Sequence, residues 1–158
     1  MQLPIPEYLR PFFRPTGDNN SEFEVTGTVQ CDCGRRRFEV WESNERRIVK
    51  LVCPHCGKEI TAFDSGKYGW DGFVGGCDFV DRSQPYERYG CPRCSGSLFR
   101  VTIHIMSQGK QDFLDECVAY DDSFSPDDWV NAFEWIDISL SCENCRHKEK
   151  EWLDMETM

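Results

Sequence analysis

Ten cysteines are the residues of this chain best suited to chemistry, and eight of them stand in close pairs: Cys31 with Cys33, Cys53 with Cys56, Cys91 with Cys94, and Cys142 with Cys145. A thiol oxidoreductase needs one such pair, at the start of a helix that lowers the thiol pKa. A tetrahedral zinc site needs two pairs, because each short turn presents two sulfurs to the ion. Four pairs therefore predict two metal sites, and disulfide exchange at Cys53 and Cys56 is the alternative.

Small residues beside three of the pairs favour metal-binding turns, which we call knuckles. They occur in "CDCG" from residue 31, "CPHCG" from residue 53 and "CPRCSG" from residue 91. Glycine after the last sulfur tolerates the positive φ that turns backbone amides toward thiolates, and proline after the first sulfur fixes the start of the turn. The fourth pair, "CENC" at residues 142–145, has neither feature.

Spacing and strand patterns predict which pairs share an ion. Nineteen residues separate Cys33 from Cys53, close to the ~15–20 of a recognised zinc spacing, and 47 separate Cys94 from Cys142. The alternating stretches "RFEVWES" and "RIVKLV" predict a hairpin between the first two knuckles, and "LFRVTIHIMS" and "EWIDISLS" repeat this pattern between the last two. We therefore expect site 1 at Cys31, Cys33, Cys53 and Cys56, and site 2 at Cys91, Cys94, Cys142 and Cys145. A crossed arrangement that joins the second knuckle to the third stays open.

The first half of the chain resembles the zinc-ribbon class. More narrowly, "CDCGRRRFEVWES" followed by "CPHCGK" is similar to the bacterial CpXC domain, an uncharacterised presumed zinc ribbon, over roughly residues 29–64. This resemblance implies metal binding at the four cysteines of site 1 and implies no activity. "CPHCG" is also similar to a rubredoxin knuckle, which holds iron. Two structural zinc ions are thus expected, with iron as the alternative.

The expected fold is mainly β with small α content, built as two tandem zinc ribbons with short helices inserted in the second. The predicted segments are an N-terminal arm at 1–20, ribbon 1 at 21–64, a glycine- and aromatic-rich linker at 65–90, and ribbon 2 at 91–158 with an acidic helical insertion at 107–134. Phe113 and Cys117 lie four residues apart, as on the apolar face of an amphipathic helix. Ser125 is the expected N-cap of a second helix that has Pro126 at its first position. The linker aromatics are either packed on a ribbon or part of a contact loop.

The charge of the chain favours a basic protein as partner. Its net charge is -10, and nine acidic residues but no Lys or Arg lie between residues 112 and 137. Two four-thiolate zinc sites would take the total to about -14, which opposes nucleic-acid binding. The expected contact residues are Asp112, Asp115, Glu116, Asp121, Asp122, Asp127, Asp128 and Trp70. The nucleic-acid alternative uses a basic rim on the first hairpin, formed by Arg35, Arg36, Arg37, Arg46 and Arg47.

Other features predict a non-enzymatic protein of the cytoplasm. No secretory signal, membrane-spanning stretch, P-loop or nucleophile elbow is present in the sequence. Four cysteines per ion leave no open position for catalysis. Cys77 and Cys117 are expected in the core, and no pattern brings the three histidines together.

Overall fold

Two antiparallel sheets form the body of the protein, for which a computed structural model describes residues 2–18, 20–78 and 80–158. Sheet A has the spatial order β1 (Phe13–Pro15), β2 (Glu24–Val29), β7 (Phe99–Met106), β8 (Trp135–Cys142) and β9 (Lys148–Glu156). Sheet B has the order β5 (Glu59–Asp64), β4 (Ile48–Val52), β3 (Glu39–Ser43) and β6 (Glu87–Arg88). With 34% strand and 15% helix, the prediction of a mainly β fold with small α content is confirmed.

Both hairpins predicted between knuckles are present. β3 pairs with β4 from Glu39 opposite Val52 to Ser43 opposite Ile48. β7 pairs with β8 along its whole length, from Phe99 opposite Cys142 to Met106 opposite Trp135. Local alternation was sufficient to predict them because each sheet buries one face, so every second residue is apolar.

One hydrophobic core lies between the sheets. In β7 and β8 the buried residues alternate without a break, from Phe99 to Ile105 and from Ile136 to Cys142. Phe38, Phe63 and Phe133 fill the interior together with these strands. Strands of both sheets contribute to the same cluster of buried residues, so neither sheet has a core of its own.

The chain crosses between the sheets twice. It leaves sheet A after β2 and returns to it before β7. Beside these crossings Phe38 and Phe99 exchange two backbone hydrogen bonds, each 2.9 Å from N to O, which join the sheets. β2 lies inside predicted ribbon 1 but pairs with β7 of predicted ribbon 2, so sheet A draws on both segments. The boundaries themselves stay a prediction.

The helical segments form a second, smaller core. The α-helix Lys110–Phe113 continues as a π-helical turn, Leu114–Val118, and a 3₁₀ helix occupies Pro126–Asn131. Phe113 and Cys117 are buried, as the amphipathic pattern predicts. Ser125 caps the 3₁₀ helix, and its N–H donates to the Asp128 carboxylate at 2.8 Å. None of the helices among the described residues has the length and apolar character needed to span a bilayer.

Aromatic residues of the linker and the arm are packed against the body. Tyr68 stacks on Tyr8 with ring centroids 4.0 Å apart. Trp70, in the π-helical turn Trp70–Val74, meets Phe113 edge-on at 6.4 Å, and Phe73 lies 5.8 Å from Phe124. In the arm, the 3₁₀ turn Arg10–Phe12 leads into β1. The linker aromatics therefore have a packing role, and half-buried Trp70 belongs to the helical core.

Gly27 gives a test of how closely the arm is held. The ring of Phe13 lies over Gly27, and a Cβ built there would come within 2.5 Å of the ring and 2.6 Å of the Arg14 carbonyl oxygen. We expect Gly27→Ala to lower the free energy of unfolding by about 1–3 kcal/mol, because strand β1 must move away. Denaturant unfolding measures this.

The matched control is Gly90→Ala. At Gly90 the nearest atom to an added Cβ is 3.9 Å away, so this variant should unfold like the wild type. Equal stability of Gly27→Ala and the wild type would show that the arm is not packed this closely.

Candidate metal centres

The eight paired cysteines come together as two groups of four. One consists of Cys31, Cys33, Cys53 and Cys56, and the other of Cys91, Cys94, Cys142 and Cys145, with the sulfurs in each group within 4.8 Å of one another. This is the sequential pairing predicted for sites 1 and 2, and the crossed arrangement is wrong. Each group could hold one metal ion.

The sulfur positions fit a tetrahedral ion. In site 1 the sulfurs of Cys31 and Cys56 lie 3.5 Å apart, and in site 2 those of Cys94 and Cys142 also lie 3.5 Å apart. A tetrahedron of thiolates about 2.3 Å from zinc has edges of about 3.8 Å. A disulfide would need about 2.05 Å, so these are separate thiols. The shortest contacts, at 3.5–3.6 Å, join one knuckle to the other, and the sulfurs of Cys53 and Cys56 within one knuckle are part of the same group.

All four knuckles close in a similar way, over three residues at Cys31 and over four residues in the other three. The residue after the last cysteine has a positive φ in each: 90° at Gly34, 76° at Gly57, 64° at Ser95 and 67° at Arg146. The N–H of that residue donates to the carbonyl of the first cysteine at 2.8–2.9 Å in all four. The "CENC" knuckle therefore has the same geometry as the others, although Arg146 adopts a φ that ordinarily favours glycine.

The strands before the knuckles determine which cysteine is buried. Cys31 continues the buried face of β2 two residues after Val29, Cys53 follows Leu51 of β4, and Cys142 follows Leu140 of β8. These cysteines and Cys91 are buried, whereas Cys33, Cys56 and Cys145 are exposed and Cys94 is half-buried. Each site is thus half embedded in the core and half open to solvent, which gives an ion a route of entry.

Backbone and amide donors lower the pKa of one thiol in each site. Burial raises the pKa of Cys53, but hydrogen bonds from the amides of Cys56 and His55 outweigh it and lower the pKa to about 7. In site 2 the side chain of Asn144 and the N–H of Gly96, 3.4 Å from the sulfur, lower the pKa of Cys94 to about 6. Burial raises the pKa of Cys31 to about 12. Each site therefore offers a thiolate near neutral pH, the form that binds metals.

Each site fixes one crossing of the chain to one hairpin. The knuckle at Cys31 carries the chain from β2 to β3, and site 1 attaches it to the β4–β5 turn. The knuckle at Cys91 carries the chain from β6 to β7, and site 2 attaches it to the β8–β9 turn. A metal at either site would thus link the strand that crosses between sheets to a turn of one sheet.

The histidines and the single cysteines lie apart from the two sites. His104 lies on the outer face of sheet A, between Asp137 at 3.0 Å and Glu24 at 3.3 Å. His55 and His147 are adjacent to knuckles but contribute no ligand to the groups. Cys117 is buried as predicted. Cys77 is exposed, so its assignment to the core is wrong; it follows Gly75 and Gly76 in a loop outside both cores.

The predicted basic rim does not form a single patch. Arg35, Arg36 and Arg37 lie at the start of β3 and line an open cleft of about 290 Å³ with Arg100 and Glu143. Arg46 and Arg47 lie at the other end of the hairpin, in the β3–β4 turn. The guanidinium of Arg46 lies 4.2 Å from the ring centre of Trp152 and donates to Glu42 at 3.0 Å, so this side chain connects the sheets.

Most of the predicted acidic contact residues face solvent. Asp115, Glu116, Asp121, Asp122 and Asp127 are exposed, whereas Asp112 and Asp128 are half-buried. Several have a local partner: Asp121 accepts from the Ser123 hydroxyl at 2.7 Å and Asp127 pairs with Lys110 at 3.5 Å. These residues lie on the two helical segments and the turn between them.

Comparison with protein-family models, curated proteins and solved structures finds no match to this chain. The similarity of residues 29–64 to CpXC domains thus rests on the motifs themselves.

The burial of the cysteines predicts a distinctive thiol count. Purified protein should contain two equivalents of metal and one rapidly reacting thiol, Cys77, because eight thiols bind metal and Cys117 is buried. A chelator with denaturant should release the metal and make all ten thiols reactive. Elemental analysis and a colorimetric thiol assay measure both.

Two serine variants provide the comparison. Cys77→Ser should remove the fast thiol, whereas Cys117→Ser should leave the fast count unchanged. Protein that is free of metal yet cooperatively folded would contradict this assignment of the eight cysteines.

Proposed function

We propose that both sites hold zinc as a structural ion and that the chain is a zinc-ribbon protein. The support is chemical: the candidate ligands are cysteine sulfurs alone, their spacing fits a tetrahedral ion, and all four knuckles end in a residue with positive φ. Iron also binds four thiolates and is the alternative. Elemental analysis and colour distinguish the two, since zinc–thiolate protein is colourless.

The site chemistry favours a structural role over catalysis. A catalytic zinc keeps one position for water or substrate, whereas four thiolates fill a tetrahedral ion. Cys53 makes its close sulfur contact with Cys33 of the opposite knuckle, at 3.6 Å. Cys56 of the same knuckle lies within 4.8 Å as well, but Cys53 is one of four thiols around a common point, which favours a ligand over one half of a redox pair.

We infer that the protein is an interaction module for a basic protein, and the exposed side chain of Tyr120 is the observation that carries this function. Tyr120 is 86% exposed, more than any other large apolar side chain described. Asp121 and Asp122 follow it directly and Glu116 lies one turn before it, all three exposed. An exposed tyrosine surrounded by carboxylates combines the side chain enriched at binding hot spots with charges that accelerate encounter.

The electrostatics of the whole chain agree with this proposal. Its net charge is -10, and no Lys or Arg occurs between residues 112 and 137. Glu116 and Asp122 have no hydrogen bond or ion pair among the described residues, so their charges are available to a partner. A groove on a nucleic-acid-handling protein or a toxin has the complementary positive charge.

We call the surface formed by Tyr120, Asp121, Asp122 and Asp127 the acidic tip. Its charge predicts that the complex with a basic partner is salt-dependent. After the partner is identified by affinity capture and purified, Asp121→Asn, Asp122→Asn and Asp127→Asn combined should weaken binding by about tenfold or more, mainly through slower association. Asp128 is retained because it caps the 3₁₀ helix. Surface plasmon resonance at two salt concentrations measures both rates.

A charge-matched control removes three other exposed carboxylates, with Asp18→Asn, Glu45→Gln and Glu87→Gln. Equal loss of affinity in both variants would show that binding depends on the net charge of the chain and not on the acidic tip. Unchanged binding of the tip variant would dispose of the proposed surface.

Nucleic-acid binding is the second candidate, and the arginine cleft favours it. Arg35, Arg36 and Arg37 are consecutive and exposed, and within the described part of the chain their side chains have no ion pair. Arg100, on the other side of the cleft, pairs with Glu143 at 3.1 Å. Guanidinium groups that form no ion pair with a carboxylate of the same protein are suited to binding phosphate groups.

A mobility-shift assay with mixed single-stranded DNA and RNA tests this candidate. The cleft predicts a shift that disappears when Arg35, Arg36 and Arg37 are replaced by Gln and persists when Arg10, Arg14 and Arg93 are replaced instead. No shift with the wild-type chain at low salt would reject the candidate.

A further inference from the structure

Three exposed apolar side chains gather at one end of sheet A. Phe23, Met106 and Met158 are 52%, 37% and 41% exposed, and they are three of the five large apolar side chains that the described chain exposes. Backbone hydrogen bonds bring their segments together: Ser107 donates to the Phe23 carbonyl at 2.8 Å, and Glu134 donates to the Met106 carbonyl at 2.9 Å. The amide nitrogen of Gln108 lies 2.9 Å from the Met158 sulfur. Clustering of exposed apolar groups is the usual mark of a binding surface.

Two of these side chains, those of Phe23 and Met106, border an open groove of about 700 Å³ with an acidic wall. Phe23 and Met106 line it together with four carboxylates, those of Glu24, Asp112, Glu116 and Glu134. No Lys or Arg is among the lining residues that the structure describes. The groove therefore joins apolar contact area to four carboxylates, a formal charge of about -4.

Two details show that the groove is built in advance of any partner. Gly109, with a φ of 92°, lets the Phe23 ring approach so closely that a Cβ there would lie 2.7 Å from the ring. Ser107 accepts the Gly109 N–H at 3.0 Å and fixes this turn. Atom Oδ2 of Asp112 is buried and has no hydrogen-bond partner among the described residues. A buried acceptor without a donor is costly, so rotation of this carboxylate into the groove to meet a ligand donor would remove that cost.

We propose that this groove, lined by Phe23, Met106, Glu24, Asp112, Glu116 and Glu134, docks a segment of a partner protein in which an apolar side chain lies between Lys or Arg residues. The inference rests on the proposed function and moves the centre of contact from the Tyr120 tip to the groove. The apolar residue of the partner packs on Phe23 and Met106, and methionine adapts its shape to varied partners. The flanking cations face the carboxylates, so the complex is complementary in charge.

Other occupants fit this groove less well. A second copy of the chain would bring one set of carboxylates against another, which is repulsive. A divalent cation needs converging ligands, and in the described residues the sulfur clusters are the only groups of three or more His, Cys, Asp or Glu ligand atoms close enough together. A basic, partly apolar segment satisfies both the apolar and the acidic parts of the surface.

The test uses the metal-loaded full chain and synthetic 12-residue peptides. One peptide carries a central Phe flanked by Lys and Arg; the matched peptides replace Phe with Ser, or Lys and Arg with Glu. Fluorescence anisotropy gives the dissociation constants, and amide NMR shifts give the location. The first peptide should bind with shifts at Phe23, Ser107 and Gln108, whereas each matched peptide should bind about tenfold more weakly or not at all.

Variants separate the groove from the tip. Met106→Ser, at an exposed position, and Glu24→Lys, at a groove carboxylate whose side chain is 43% exposed, should each weaken the peptide and the captured partner by about fivefold to tenfold. Tyr120→Ser should change peptide binding by less than about twofold, and thermal unfolding should show that all three variants are folded.

The outcomes distinguish the inference from the proposed function. Loss of binding by the groove variants alone supports the groove. Loss by Tyr120→Ser alone, or equal binding of all three peptides, overturns the groove and leaves the acidic module intact. A chain that captures no basic protein and binds no peptide overturns both.

Discussion

The fold depends on how the two crossings between sheets are held. A strand that leaves one sheet for another has no neighbouring ladder to fix its direction, and here each crossing passes through a knuckle. A metal at site 1 would attach the β2–β3 crossing to the turn of sheet B between β4 and β5, and one at site 2 would attach the β6–β7 crossing to the turn of sheet A between β8 and β9. The Phe38–Phe99 bridge then joins the sheets beside both crossings. A chain of 158 residues thus keeps a single core between two small sheets.

The helical segments do not take part in either crossing between the sheets. They pack on each other and on Trp70 and Phe73, in a core separate from that of the sheets. Their outer sides carry carboxylates, and the end of sheet A beside them carries exposed Phe23 and Met106. Metal at the sulfur sites would stabilise the body, while the surface proposed for contact lies on the insertion and the adjacent sheet end. The proposed binding surface is thus separate from the proposed metal sites.

The sequence was informative wherever the determining interactions are local. The knuckles, the β3–β4 hairpin and the cap at Ser125 each depend on residues a few positions apart, and their patterns predicted them. β7 and β8 were predicted from the alternation within each strand, although the insertion 107–134 separates them. The pairing of β2 with β7 depends on contacts such as Val25 opposite Ile105, 80 positions away, which alternation alone does not specify. Arg46 looked like a surface charge because its partner, Trp152, lies in the last strand. Arg146 shows the reverse: its knuckle lacks glycine, yet Arg146 has a positive φ and its N–H donates to the Cys142 carbonyl.

The order of strands in sheet A determines when this sheet can form during synthesis of the chain. Its first two strands lie within residues 13–29 and its last three within residues 99–156, so the ribosome releases the beginning of the sheet long before the end. Site 1 and the β3–β4 hairpin need only the first 60 or so residues and can assemble during synthesis. β2 must wait with its unpaired edge exposed until β7 emerges, an interval in which a chaperone or an early zinc ion would protect the nascent chain from aggregation.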